Sequence, residues 1–175
     1  MAVTPLRELE FIPYLNENGE INPEWEKTIG VYAIFDAQKT LQFVGYSRDI
    51  ASSLKQHLVR QPQHCYWVKI QTIDRPSRSI LEEIKESWLA ENGTIPRGNS
   101  QEQSAWSDPI DVKFAMTDRE KEAYAQADEM TQMKLLKNIA RRVEAEIKKT
   151  LSDRGVTMDI RFNPKLKEQG KLDLK

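Results

Sequence analysis

The chain has few cysteines and no long apolar run. Only one of its 175 residues is a cysteine, Cys65, so no disulfide can form within the chain and a zinc site built on several cysteines is excluded. No apolar run approaches the roughly 18–20 residues that a membrane-spanning helix needs. The first residues lack the basic and then apolar pattern of a secretion signal. We therefore expect a reducing, cytoplasmic compartment and no membrane partner.

Net charge is nearly absent as well. The 26 lysines and arginines balance 27 acidic residues, a formal charge of −1, which excludes a polycation of the histone kind and an acidic tail protein. This balance averages an acidic segment at 1–27 with mildly basic segments at 28–99 and 118–175. The distribution permits a local face that binds a polyanion, but ordinary surface variation is the simpler explanation.

Two runs of β-branched and aromatic residues mark the clearest strands, at 30–35 and 41–45. About five polar residues separate them, which predicts a β-hairpin. Ile50, Leu54 and Leu58 then recur at helical spacing, so a helix is expected to follow directly.

The rest of the chain alternates between strand and helix patterns. Residues 65–73 alternate and predict a third strand, and residues 77–91 predict a second helix that ends at Asn-Gly. A long helical pattern covers 118–152, a last strand is predicted over 156–162, and the lysine-rich end from Pro164 is expected to be a mobile tail.

These patterns predict an α/β fold. A small, mainly antiparallel, three-stranded sheet is flanked by helices, and a long helical extension follows. The predicted regions are an acidic leader at 1–27, a core domain at 28–99, a linker or irregular segment at 100–117, and a helical extension with a basic tail at 118–175.

Two short motifs lie in the predicted hairpin, Gly30-Val31-Tyr32 and Phe43-Val44-Gly45, separated by ten residues. With the helix that follows, its late histidine and a closing Pro-x-x-Asn at 96–99, they resemble the GIY-YIG nuclease superfamily over about residues 28–99. The amino-acid sequence around the motifs is most similar to a subgroup that includes the N-terminal domain of plastid-type monothiol glutaredoxins.

The resemblance implies three residues of a catalytic site. Tyr32 matches the family's first tyrosine, which acts on the attacking water as a base or as an orienting group. His57 matches a histidine found on the first helix in many members. Asn99 matches an asparagine near the end of the domain that supports the site.

The resemblance also implies a metal ligand. In the family, a glutamate on the second helix holds one divalent ion, which polarises the phosphoryl oxygen. Glu86 fits this position best, and Glu82 and Glu83 are alternatives. Mg²⁺ or Mn²⁺ is therefore expected as the cofactor if the site is active.

Two positions depart from the family pattern. Phe43 replaces the second tyrosine and cannot hydrogen-bond a water or a phosphate. Ser53 replaces the arginine that neutralises phosphate charge, and Arg48 is the nearest candidate to supply that charge. Loss of one such donor commonly costs a factor of about 10²–10³ in rate, so efficient cleavage is not expected.

Two functions from different classes follow. The first is a GIY-YIG-like domain that binds nucleic acid, with DNA as its partner and at most weak, metal-dependent endonuclease activity. The second is a catalytically silent module that binds a protein partner or a second copy through the long C-terminal helix. In that second case the module is linked to thiol redox chemistry through Cys65, which His64 precedes.

Overall fold

A four-stranded antiparallel sheet forms the centre of the first of two structural units. The computed structural model describes residues 3–175, which fall into one unit up to Asp108 and a second from Pro109 onward. The sheet order is β1–β4–β2–β3, with strands β1 (Ile12–Pro13), β2 (Ile29–Phe35), β3 (Leu41–Ser47) and β4 (Trp67–Ile73). The α/β class and the hairpin predicted from the sequence are confirmed.

The sheet has one strand more than the three predicted. Ile12 and Pro13 pair with Val68 and Trp67 of β4, so the acidic leader adds an edge strand. Proline is tolerated there because an edge strand need not donate every backbone hydrogen bond. A run of two residues is too short for hydrophobic alternation to reveal it.

The described part of the first unit has three α-helices besides short 3-10 turns: α1 (Ile50–Arg60), α2 (Arg78–Asn92) and the short α3 (Gln103–Ser107). Successive side chains of a strand point to opposite faces of the sheet. One face of β2 therefore packs Val31 and Phe35 into a single core cluster with Leu81 and Trp88 of α2. The other face presents Tyr32 to α1, and it is there that the candidate site forms.

The second unit contains β5 (Ile110–Asp111), α4 (Asp118–Gln126), α5 (Glu129–Asp153), α6 (Pro164–Lys167) and β6 (Lys171–Leu172). The single helix predicted over 118–152 is two helices. Ala127 leaves the helical conformation, and the Asp128 side chain accepts a hydrogen bond from the backbone N–H of Thr131. This N-cap satisfies a free donor and begins α5 as a separate helix.

The predictions for the end of the chain were wrong. Residues 156–162 form no strand, and Phe162 makes only an isolated bridge to Leu174. The segment predicted as a mobile tail folds into α6 and β6, and Leu172 is fully buried where it pairs with Ile110. Leucines that are widely spaced among the lysines supply the buried surface. The high lysine content of this segment is typical of a disordered tail and led to the wrong prediction. Over the described residues, no helix is both long and apolar enough to cross a membrane.

Candidate functional site

A buried tyrosine–histidine pair lies between β2 and α1. The Tyr32 hydroxyl and His57 Nε2 are 2.8 Å apart, and His57 Nδ1 lies 2.9 Å from the backbone oxygen of Trp106. A carbonyl oxygen can only accept, so Nδ1 carries the ring proton and donates it to Trp106. Nε2 is then the acceptor, and the Tyr32 hydroxyl donates to it. The pair has one defined tautomer and direction.

Aromatic rings enclose this pair. The rings of Phe43 and Trp106 stack with an interplanar angle of 2° and a centroid distance of 5.3 Å, and the Phe43 ring lies 4.6 Å from the His57 ring. Trp106 is fully buried, while Tyr32 and His57 are 3% and 4% exposed. A substrate therefore has no direct approach to either polar atom in this conformation.

Burial also sets the charge state of the pair. Removal from water raises the pKa of Tyr32 above its ordinary value, because the phenolate would be poorly solvated. Burial and the nearby Arg60 charge lower the pKa of His57 from 6.5 to about 3, although the hydrogen bond to Trp106 opposes this change. Both side chains are neutral at physiological pH. The histidine therefore acts as a hydrogen-bond acceptor toward Tyr32 and carries no charge for a phosphate.

Two serines connect the pair to the start of α1. The Ser53 hydroxyl interacts with Tyr32 and donates to the hydroxyl oxygen of Ser47 at 2.7 Å. Ser47 in turn donates to the Asp49 backbone oxygen at 2.9 Å. The serine at position 53 therefore extends a polar chain from Tyr32 toward the start of α1.

Asn99 contacts the same region by pairing with a strand. Its side-chain amide accepts from the Val44 backbone N–H and donates to the Val44 backbone oxygen, both at 2.8 Å. The amide thus replaces a neighbouring strand along β3, immediately after Phe43. Nearby, Gly98 allows close packing, since a Cβ there would lie 2.6 Å from the Gln42 backbone oxygen.

The other predicted site residues lie elsewhere. Arg48 is exposed and lines a cleft with Tyr46 and Arg78. Glu86 is exposed on α2, the helix that packs on the opposite face of the sheet from α1. Of the alternatives, Glu83 is also exposed, and Glu82 accepts a hydrogen bond from the Tyr46 hydroxyl at 2.6 Å. The structure thus joins Tyr32 to His57 and binds Asn99 to the backbone of Val44 on the adjacent strand β3. Among the described residues, Arg48 and Glu86 form no hydrogen bond with this pair.

No group of three or more histidine, cysteine or acidic side chains is placed to hold a metal ion within the part of the chain that the structure describes. Glu86, Glu82 and Glu83 therefore do not belong to such a group, and binding of Mg²⁺ or Mn²⁺ stays a prediction. One carboxylate on an exposed helix face is a weak site for such an ion, which prefers several oxygen ligands.

Trp106 is the site residue that sequence reasoning missed. It lies in the polar stretch 100–117, which has no clear periodicity, yet it is fully buried and contacts both Phe43 and His57. Its indole Nε1 is buried without a hydrogen-bond partner among the described residues. A lone tryptophan in a polar segment was the available signal, because burial of its large apolar surface favours docking onto the core.

Cys65 lies close to the pair but is not accessible. Its side chain is fully buried, and Sγ is 3.7 Å from the backbone oxygen of His57. A buried thiol of this kind behaves as a small apolar side chain.

Comparison with known proteins identifies one relevant relative. No protein-family model matches the chain. The chain is 36% identical over 102 residues to a bifunctional monothiol glutaredoxin-S16, chloroplastic, of Arabidopsis thaliana. The similarity covers 56% of this chain and 33% of that protein. The chain therefore spans about a third of the length of the curated relative that it matches.

This relative corrects the main functional prediction. Its name describes a glutaredoxin, a thiol redox protein, and so points away from a nuclease that binds DNA with magnesium. The prediction of a nucleic-acid-binding, metal-dependent endonuclease was wrong. The similarity to a plastid-type monothiol glutaredoxin that the sequence indicated is confirmed.

Proposed function

We propose that the first unit is a catalytically silent protein-interaction module that works with a thiol redox protein. The observation that carries this proposal is the 36% identity, over 102 residues, to part of a monothiol glutaredoxin. Sequence identity at this level, over a stretch as long as a domain, favours a shared structural role. A redox-linked role agrees with the second of the two functions that the sequence suggested.

We further propose that the module uses a GIY-YIG-like scaffold. The order β2, β3, α1, β4 and α2 follows the arrangement expected from the two hairpin motifs. The motif residues Tyr32 and Gly45 lie opposite each other in the β2–β3 register, and a Cβ on that glycine would lie 2.8 Å from the Tyr32 hydroxyl. The glycine of the second motif therefore leaves room for the tyrosine of the first motif, so both motifs have a structural role.

The closed tyrosine–histidine site supports the absence of catalysis. Both polar side chains are saturated by contacts within the protein, and the rings of Phe43 and Trp106 cover them. A general base must reach the proton that it removes, directly or through one water. Here the His57 acceptor is already occupied by Tyr32, so we assign the pair to fixing β2 against α1.

The redox link is proposed to come from the partner, since attack on a disulfide requires the thiolate sulfur to reach it. The Cys65 sulfur is fully buried against the His57 backbone oxygen. Direct exchange through this thiol would require the first unit to open.

Contact of a partner or a second copy through the C-terminal helix stays a prediction. The buried side chains of α5, such as Ile139 and Val143, already pack within the second unit. Met130 and Met133 are the apolar side chains that α5 leaves 68% and 42% exposed. A reducing compartment likewise stays a prediction.

The test is a binding titration of the purified chain with a recombinant monothiol glutaredoxin, in reduced and oxidised form, by calorimetry. Saturable binding in at least one redox state is expected, and Cys65→Ala should bind equally well because its side chain is not at the surface. Absence of binding in both states would contradict the interaction. Disulfide reduction by the chain alone, lost in Cys65→Ala, would contradict catalytic silence.

A further inference from the structure

An open cleft lies beside the α2 end of the sheet, apart from the tyrosine–histidine site. Its volume is about 460 Å³, which falls in the size range of small-molecule sites. The lining comes from the end of β3 and the residue that follows it, from the loop between β4 and α2, and from the first turn of α2. The lining residues are Tyr46, Ser47, Arg48, Pro76, Ser77, Arg78 and Leu81.

The charges of this cleft are of one sign. Arg48 and Arg78 are both exposed and line it, and neither forms an ion pair with a carboxylate within the described part of the chain. The first turn of α2 contains no acidic residue and places Arg78 at the positive end of the helix dipole. Such a placement is unfavourable for folding, because helix starts prefer negative charge. Arg78 therefore gains nothing from the helix dipole, and its charge faces the cleft.

Most of the neutral hydrogen-bonding groups in the cleft are already engaged. The Tyr46 hydroxyl donates to Glu82 at 2.6 Å, the Ser47 hydroxyl donates to a backbone oxygen, and Ser77 accepts from the backbone N–H of Ile80. The Tyr46 hydroxyl also contacts the Arg78 guanidinium. The remaining donors of Arg78, together with those of Arg48, are the main groups available to a ligand. The cyclic and aliphatic side chains of Pro76 and Leu81 provide an apolar wall beside them.

We propose that this cleft binds a phosphomonoester of a small organic molecule. Guanidinium groups match the oxygens of a phosphate in geometry and charge, and two of them suit a dianion better than a single carboxylate. The nearby Glu82 carboxylate is tied to Tyr46, which orients it through a short hydrogen bond. The organic group of the ligand lies against Pro76 and Leu81. This site is independent of the redox-linked interaction function, and either can fail alone.

The experiment titrates the full chain with three probes by calorimetry: phenyl phosphate, inorganic phosphate and benzoate. Phenyl phosphate is expected to bind most tightly, since it offers both the dianion and an apolar group. Arg78→Gln and Arg48→Gln should each weaken its binding by about tenfold or more, the usual effect of removing a charge-assisted hydrogen bond. Arg75→Gln is the matched control, because this exposed arginine lies beside Pro76 in the loop between β4 and α2 but does not line the cleft.

Three results would overturn the site. The first is the absence of saturable binding of phenyl phosphate up to about 10 mM, well above the range of specific small-ligand affinities. The second is binding of benzoate as tight as that of phenyl phosphate, which would show that the cleft does not select a phosphate. The third is an equal loss in Arg75→Gln, which would reduce the effect to general positive charge. Thermal unfolding of each variant verifies that the exposed substitutions leave the fold intact.

Discussion

The two faces of the central sheet differ in how they treat polar groups. On the α1 face, Tyr32 and His57 are buried, neutral and covered by aromatic rings. At the edge of the α2 face, Arg48 and Arg78 are exposed around an open cleft. The motif residues thus serve packing, while the charges available to a ligand lie outside the motif. The position of the sequence motif therefore does not indicate which surface of this sheet is available to a ligand.

The largest effect is expected from Trp106→Ala, which tests whether the α1 face is a packed interior. The fully buried indole stacks on Phe43, and its removal should lower the free energy of unfolding by about 3–5 kcal/mol. No indole hydrogen bond is lost, because Nε1 has no partner in the described structure. Urea unfolding measures the change.

Trp67→Ala is the matched control for this substitution. Trp67 is only partly buried and lies under the Lys39 ammonium group at the sheet surface. Its removal should cost clearly less than that of Trp106. An equal loss of unfolding free energy in the two variants would show that Trp106 does not shield the interior from water. The contrast between the two faces of the sheet would then be wrong.

A pH effect of about 2–3 kcal/mol is expected from His57. Its pKa is lowered from 6.5 to about 3 in the folded chain, so between these values the unfolded state binds a proton that the folded state does not. Stability is therefore full above pH 6.5 and falls as the pH decreases, by about 1.4 kcal/mol per unit. Urea unfolding at pH 7.5 and 4.5 tests this, because about 2–3 kcal/mol of the loss should occur between these two values.

The two histidines allow the source of this loss to be separated. His57→Gln should remove most of the pH dependence between 7.5 and 4.5, and His64→Gln, which changes a partly exposed ring, should keep it. A nuclear magnetic resonance titration that finds His57 protonated near pH 6.5 would mean that water reaches the site.

The fold was largely predictable because its signals are local. The hairpin motifs, the Ile50–Leu54–Leu58 spacing and the Asn92-Gly93 helix stop each depend on neighbouring residues. The edge strand at Ile12–Pro13 and the pairing of Leu172 with Ile110 depend on residues far apart in the chain. The spacing of apolar residues along the chain carries no information about such distant contacts. These two segments were therefore predicted to be a leader and a tail.

The candidate site was predictable in part for the same reason. Tyr32 and His57 stand at motif positions and are hydrogen-bonded to each other, and Asn99 binds the strand next to Tyr32. Trp106 belongs to no motif, and its approach to His57 depends on how the loop after Asn99 folds back. Glu86 is exposed because Leu81, Ile84 and Trp88 form the face of α2 that packs on the sheet. The helical spacing of these apolar residues predicts that face from the sequence.

A moderate effect is expected from Asn99→Ala, which removes both hydrogen bonds to Val44. The loss should be about 1–3 kcal/mol, since one backbone N–H and one carbonyl in a partly buried position lose their partners. Asn99→Asp is the informative companion, because the carboxylate can still accept from the N–H but cannot donate to the carbonyl. Its cost should therefore equal or exceed that of alanine, measured by urea unfolding. A neutral result for both would show that water replaces the amide and that Asn99 does not fix β3.

The smallest effect on stability is expected from Arg78→Gln at the edge of the α2 face. Arg78 is exposed and occupies a helix start where positive charge is unfavourable, so its loss should change stability by no more than about 0.5 kcal/mol, in the stabilising direction. The contact of Arg78 with the Tyr46 hydroxyl stabilises the fold and so opposes this gain. Arg78→Lys separates the effect of the charge from the effect of this contact, because it keeps the charge and changes the donor geometry. If Arg78→Gln destabilises the chain by more than 1 kcal/mol, the arginine is a structural residue, and the two faces of the sheet then use their polar groups in the same way.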